Sequence, residues 1–254
     1  MCSPARGGIL TVIAHLSDPH LDGSPQRLHR LHAVLAQVAD LPQVDVVLVS
    51  GDIADHGKAA EYEQFFDTLP GDVPVLTVPG NHDLTAPFLT ALDNNGRPAS
   101  LNTTVDVLGL RLIGLDSHID ENDEGELGHA ALEHAREQLA STQGPVVLAL
   151  HHPPVPVGHE VMDRFGLANA DDLAGIVHTH ENIIGILTGH VHSALATTYA
   201  GVPLVGAPGI VSTMRLGSKT DPIADADAMP GLAIHTILGT AISTVFHYLS
   251  PSAL

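Results

Sequence analysis

Short apolar runs, each closing on a turn that carries aspartate, asparagine or histidine, set the frame for this chain. Residues 9–16 (ILTVIAHL), 44–50 (VDVVLVS), 73–78 (VPVLTV), 145–151 (PVVLALH) and 183–188 (IIGILT) have strand length and are rich in Val, Ile and Leu. Runs of this kind, without polar alternation, predict strands buried on both faces. A helix is predicted over residues 25–39, with Leu28, Leu31, Val34, Leu35 and Val38 on one face, as packing on a sheet requires. Shorter helices are predicted over 59–68 and 84–93, and a hairpin over 105–116 with Gly109 at its turn. A further helix over 127–141 has Leu127, Leu132 and Leu139 as core candidates, and residues 194–207 and 231–249 predict antiparallel strands. The fold class is α/β; strands wrapped by helices on both outer faces would give a layered sandwich, but periodicity alone shows only α/β.

A chain of 254 residues in this class suits one domain over 1–254, with a motif-bearing core at about 9–215 and a strand and loop region at 216–254. Residues 217–231 are polar, acidic and rich in breakers, which predicts a mobile surface loop. No apolar run approaches the length of a membrane span, MCSPARGG has no signal-like apolar region, and Cys2 is the sole cysteine. The expectation is a cytoplasmic protein with no disulfide, no membrane association and an inert Cys2. A net charge of −19, with Lys58 and Lys219 as the only lysines, excludes a broad nucleic-acid footprint. Such a protein needs a local positive centre to handle an anion, and bound metal supplies one.

Five contexts carry the chemistry: Asp18 and His20 in S-D-P-H, Asp52 in S-G-D-I, Asn81 in P-G-N-H-D, His151 in L-H-H-P, and His190 and His192 in T-G-H-V-H. Each stands where a strand gives way to a loop, the position at which layered α/β proteins collect ligands. The i, i+2 spacing of Asp18 and His20 aims both side chains the same way if the backbone stays extended, and Pro19 disfavours helix before it. Taken alone, S-D-P-H and G-D are ordinary turns. G-N-H-D after a buried strand is the most specific of the five. His82 is placed to reach a substrate, and Asp83 is a candidate to orient its imidazole. His152 is the alternative to His151 at one-residue offset. H-T-H at His178 and His180 lacks the preceding strand and glycine and reads as a helix end at the surface, and Asp120 to Glu126 reads as a solvated acidic loop. Enrichment in histidine is weak evidence, since twelve of the eighteen fall outside these motifs.

The order D-x-H, G-D, G-N-H-D, H, G-H-x-H resembles that of the calcineurin-like metallophosphoesterase superfamily. GDIAD, GNHD, HHPP and GHVHS together are similar to bacterial class III cyclic-nucleotide phosphodiesterases and related glycerophosphodiesterases. The resemblance implies a four-layer αββα sandwich whose C-terminal antiparallel strands are candidates to cap the site, and it leaves room for a homodimer or higher homo-oligomer. It also implies two divalent or mixed-valence transition metal ions held by Asp18, His20, Asp52, Asn81, His151, His190 and His192, with Asp52 bridging. Asn81, His82 and His192 would touch substrate, and His82 with Asp83 would act in catalysis. Two aspartates and neutral remaining ligands leave such a site at about +2, or about +1 with a bridging hydroxide that attacks phosphorus in line. Mn, Fe, Zn and Co all suit mixed N/O ligands.

Departures from the pattern narrow the substrate. Protein phosphatases of the superfamily carry a phosphate-gripping arginine where this chain has His56, and purple acid phosphatases carry a tyrosine where it has Asp55. DNA nucleases of the superfamily are disfavoured by the charge. A monoanionic diester suits a pocket with few basic side chains, and cyclic AMP or a related cyclic nucleotide leads. A glycerophosphodiester or small phosphomonoester is the alternative. A non-catalytic scaffold would lack ligand positions, and none of the seven is missing. Phe165 and the histidines are the few candidates to stack on a base.

Overall fold

The structure, a computed structural model, describes residues 9–216 and 223–254. Cys2 and residues 217–222 of the acidic loop lie outside the described residues. The first sheet contains β1 (Leu10–Leu16), β2 (Val46–Ser50), β3 (Val75–Val78), β12 (Gly231–Leu238) and β13 (Ala241–Tyr248), in the order β13-β12-β1-β2-β3. The second contains β4 (Thr103–Val107), β5 (Leu110–Gly114), β6 (Val146–Ala149), β7 (Ile183–Thr188), β8 (Leu195–Tyr199) and β9 (Val202–Gly206), in the order β4-β5-β6-β7-β9-β8. A two-stranded piece, β10 (Thr213–Met214) with β11 (Ala224–Asp225), stands apart. The helices are α1 (Pro25–Ala39), α2 (Ala59–Phe66), α3 (Thr85–Asn94), α4 (His129–Ala140) and α5 (Ala170–Thr179).

Strand parity builds three cores. Ile13, Val46, Leu48, Leu76 and Val78 of the first sheet meet Leu110, Leu112, Val147, Ala149, Ile184 and Leu187 of the second. Their sequence neighbours Ala14, Leu16, Val47 and Val49 turn to the opposite face and pack on Leu31, Val34 and Val38 of α1 and on Tyr62, Phe65 and Phe88 of α2 and α3. Ile113, Val146, Leu148 and Ile186 pack on Ala131, Ala135 and Leu139 of α4 and Leu173, Ile176 and Val177 of α5. The order is helix, sheet, sheet, helix, as the resemblance implies. It also explains the unbroken apolar runs, because both faces of each central strand are covered.

The predicted strands appear, shortened at their ends, and the helix over 25–39 matches α1, started by Ser24, whose Oγ accepts from the Arg27 amide. Gly109, at φ +85°, closes the β4–β5 hairpin. His178 and His180 sit at the exposed end of α5, as expected. The C-terminal region divides in two. Strand β12 pairs antiparallel with β1 and β13 forms the sheet edge, while residues of 211–226 reach the main cavity. No helix among the described residues is long and apolar enough to cross a membrane.

Leu112 is fully buried where the two sheets meet. Leu112→Ala is expected to cost about 2–5 kcal/mol in urea unfolding, and a loss below about 1 kcal/mol would contradict tight inter-sheet packing at that point.

Candidate metal centre

Strands β1, β2 and β3 run parallel, as do β6 and β7, so their C-terminal ends open on the same region. The structure brings all seven candidate ligands together there. The backbone reaches this arrangement by a route that differs from the extended one expected for Asp18 and His20. Asp18, His20, Asp52, His190 and His192 all have positive φ, between 45° and 70°. Each such non-glycine residue costs about 1–3 kcal/mol and persists only where its surroundings over-determine it. Here the amides of Asp18, His20 and Leu21 donate to the carbonyls of Gly51, Asp52 and Ile53, and Val211 N–H donates to the Asp18 carbonyl. Glycine is required beside them: Gly51 has φ +95°, and a Cβ on Gly80 would collide with Asp52.

Two groups of ligand atoms share one oxygen. Asp52 Oδ2 lies 3.2 Å from His20 Nε2 and 3.4 Å from His151 Nε2. On the first side, His192 Nε2 stands 3.1 Å from His20 Nε2 and 3.6 Å from Asp18 Oδ1. On the second, Asn81 Oδ1 stands 3.1 Å from His151 Nε2 and 2.9 Å from His190 Nδ1. His152 stands beside this second group, with a ring nitrogen within 4.8 Å of ligand atoms of His151 and His190, but its Nδ1 lies 2.9 Å from Ser117 Oγ, whereas His151 Nε2 is the nitrogen that meets Asp52 and Asn81.

The tautomers make this arrangement a demand for cations. His151 Nδ1 donates to the Ser50 carbonyl at 2.6 Å, so a neutral ring presents its Nε2 lone pair to Asp52 and Asn81, both acceptors. His20 Nδ1 donates to Asp55 Oδ1 at 3.0 Å, which leaves its Nε2 lone pair facing Asp52 Oδ2 and His192 Nε2. Asp18 Oδ2 is buried without a hydrogen-bond partner. Lone pairs converging on lone pairs are stable around metal ions, and in their absence protons take that place. Burial opposes charge on His20, but Asp52 with Asp55 pushes it up to about 10; burial likewise opposes charge on His151, but Asp52 pushes it up to about 9. His190 and His192 fall to about 3 through burial and the neighbouring histidines. Burial raises Asp18 to about 6, against the pull of His151. The donor set of carboxylate, imidazole and amide oxygen fits divalent transition metals.

Three site residues need correction or addition. Asp83 does not orient His82. Its buried carboxylate accepts from the amides of Gly80 at 2.8 Å, Ala54 at 3.0 Å and Ile53 at 3.1 Å, and so staples the Asn81 loop to the Asp52 loop. His82 Nδ1 instead donates to the Asp55 carbonyl at 3.0 Å, and its amide donates to Asp52 Oδ1 at 2.9 Å. Asp55, identified in the sequence only as a non-tyrosine, is the carboxylate that sets the tautomer of His20 and engages Arg27 Nη1 at 2.7 Å. Ser212 Oγ serves His192 Nδ1 in the same way at 2.7 Å, and no sequence signal marks it.

Comparison with known proteins agrees with this geometry. The family model for calcineurin-like phosphoesterases matches residues 11–194. The chain belongs to that family. It is a metal-dependent phosphoesterase, and members of the family work with two divalent metal ions. The chain is 31% identical to a cAMP/cGMP dual specificity phosphodiesterase of Mycobacterium tuberculosis over 92% of this chain and 78% of that protein. It is 29% identical to a glycerophosphodiester phosphodiesterase of Enterobacter lignolyticus over 79% of this chain and 77% of that one. In fold, a dimetal phosphatase from Danio rerio superposes with a TM-score of 0.67 at 13% identity, covering 94% of this chain and 99% of the other.

Because His20 and His151 are raised above their ordinary 6.5, their contribution to the stability of metal-free protein is complete below about pH 6.5 and is lost as pH rises through about 9 and 10. The urea midpoint of metal-free protein is therefore expected to fall across that window, and saturating Zn²⁺ is expected to flatten the fall. A midpoint that rises with pH in metal-free protein would contradict the convergence of acceptors.

Proposed function

We propose that this phosphoesterase hydrolyses a small phosphodiester, foremost a 3',5'-cyclic nucleotide such as cyclic AMP, at a binuclear metal site. The observation that carries the reading is the cavity of about 370 Å³ that the ligand cluster lines. It combines the polar His20, Asp52, Asn81, His190 and His192 with the apolar Met162, Phe165, Val211, Met214 and Ile223. Such a mixed lining suits a charged phosphoryl group joined to an aromatic base. The guanidinium of Arg27 at the rim is already engaged by Asp55, by Asp22 at 3.3 Å and by the His20 carbonyl at 2.6 Å. A free guanidinium for a dianionic monoester is therefore not among the described residues that line the cavity.

In this reading Asp18, His20, Asp52 and His192 hold one metal, and Asp52, Asn81, His151 and His190 hold the other. Two bound divalent ions would supply positive charge to the phosphoryl oxygens and lower the pKa of the attacking water. His82 does the proton chemistry at the leaving oxygen. Its Nδ1 is occupied by the Asp55 carbonyl, which leaves Nε2 as the free nitrogen of a ring that lines the cavity. Its 4.5 Å edge contact with His20 ties the ring to the first metal site. Asn81 and His192 line the same cavity and would touch substrate through their exposed atoms. A glycerophosphodiester is the second reading, favoured by the relatives that carry that name.

A panel of cyclic nucleotides, glycerophosphodiesters and monoesters run with Mn²⁺, Fe²⁺, Zn²⁺ and Co²⁺ tests the substrate class. Cyclic nucleotides are expected to give the highest kcat/KM, and faster turnover of monoesters would sink the proposal. His82→Ala is expected to retain both metals while kcat falls roughly 10²- to 10⁴-fold; loss of metal would show that its role is different. Phe165→Ala is expected to raise KM for cyclic AMP while leaving bis(p-nitrophenyl) phosphate turnover unchanged, and equal effects on both would remove Phe165 from base binding.

A further inference from the structure

Two histidines that the chemistry above does not use lie in the core between the sheets. His15 on β1 and His235 on β12 are both fully buried. Strand parity turns them toward the face that carries Ile13 and Ile237, among apolar residues of both sheets. Burial pushes both imidazoles down, His235 to about 3, so both are neutral. A neutral imidazole has one donor nitrogen and one acceptor nitrogen, and here every one of the four has a partner. Thr244 Oγ1 lies 2.8 Å from His235 Nδ1, His235 Nε2 lies 3.0 Å from His15 Nδ1, and His15 Nε2 lies 2.8 Å from Ser50 Oγ. Ser50 Oγ in turn lies 2.8 Å from Ser17 Oγ, and Ser17 Oγ donates to the Ser50 carbonyl at 3.4 Å. That last acceptor sets the direction of the chain: Thr244 donates to His235, His235 to His15, His15 to Ser50, and Ser50 to Ser17.

The chain ends at a junction of the ligand loops. Ser17 precedes Asp18, Ser50 precedes Gly51 and Asp52, and the Ser50 carbonyl accepts the hydrogen of His151 Nδ1. Gly189, which precedes His190, lies so close over Ser17 Oγ and the Ser50 carbonyl that a Cβ there would collide with both. An apolar pair at positions 15 and 235 would satisfy the surrounding core without desolvating two rings.

We propose that His15 and His235 are positioning residues of the metal centre: through Ser50 and Ser17 they hold the loops that bear Asp18 and Asp52 and the tautomer of His151. This rests on the reading of His151 as a metal ligand. Partners of this kind, one step removed from the metal, typically change affinity 10- to 100-fold when lost.

The test is Zn²⁺ titration of metal-free protein by calorimetry, with melting curves for each variant. His15→Leu and His235→Leu are each expected to weaken Zn²⁺ binding about 10- to 100-fold, and the double variant to be no worse than the weaker single one, since both break one chain. His15→Gln, which keeps a donor within reach of Ser50 Oγ, is expected to recover part of the affinity. Ile237→Val, a packing control on the same face, is expected to lower the melting midpoint with Zn²⁺ affinity unchanged. Leucine variants that bind Zn²⁺ as the parent does, or a control that weakens it equally, would overturn the proposal; a parent that binds no Zn²⁺ would instead overturn the ligand reading. Nitrogen NMR of the Zn²⁺-loaded parent is independent of whether the variants fold. It is expected to find His15 and His235 neutral with hydrogen on Nε2 and His151 with hydrogen on Nδ1, and hydrogen on His15 Nδ1 would overturn the chain.

Discussion

Asp52 Oδ2 is the atom on which the structure converges, because imidazole nitrogens from opposite sheets approach it to within 3.2 and 3.4 Å, and only a metal ion or a proton between them makes such contacts favourable. No chain assembles such a contact for stability alone. The two sheets must pack with the C-terminal ends of β1, β2, β3, β6 and β7 opening together, and the inter-sheet core enforces that. Strain in the left-handed loops and repulsion between acceptors are both local costs, and the apolar burial of three cores is the large favourable term that carries them. The ligand atoms are accordingly gathered before anything binds, which is the condition for holding metals at a fixed separation.

Loops that close on one another hold this arrangement. Asp83 joins the Asn81 loop to the Asp52 loop through three backbone amides, and Arg30 on α1 reaches the carbonyls of Ile210 and Ala228, tying the helix layer to the segments beneath the cavity. The acidic residues most easily mistaken for catalysts are therefore of two kinds. Asp83 is saturated by amides and braces the backbone, whereas Asp55 is saturated by His20 and Arg27 and governs a tautomer. Both carboxylates are engaged by the groups they hold.

Much of this was legible in the sequence, for identifiable reasons. Buried parallel strands have to be continuously apolar, so Val46–Ser50 and Ile183–Thr188 announce themselves, and the ligands stand just past their ends. The layer order was legible only through the resemblance, since periodicity does not say which sheet a strand joins. The backbone at Asp18 and His20 was misjudged because i, i+2 spacing is satisfied both by an extended segment and by two left-handed residues, and only the pairing with 51–53 distinguishes them. Asp83 was misassigned because adjacency to His82 in sequence says nothing about where a side chain points after a tight turn. Ser212, His15 and His235 were silent because their partners lie 20 residues away for Ser212 and 220 for the His15–His235 contact, with no local pattern.

The charge of the chain and the polarity of the site then fit together. A protein of net charge −19 repels a phosphodiester at long range, and among the described residues its cavity offers no free guanidinium to compensate. All attraction has to come from cations bound beneath the cavity, where burial makes their field strong and short in range. An anion therefore gains little until it is inside, and what holds the remainder of the molecule is the wall of Met162, Phe165, Met214 and Ile223. On the proposed reading, discrimination among phosphodiesters falls to apolar contact with the group carried by the phosphate. Met162, Phe165, Met214 and Ile223, which the metal-ligand motifs do not include, would set that specificity, whereas Val211 and Ser212 beside them are tied to Asp18 and His192 and belong to the centre itself.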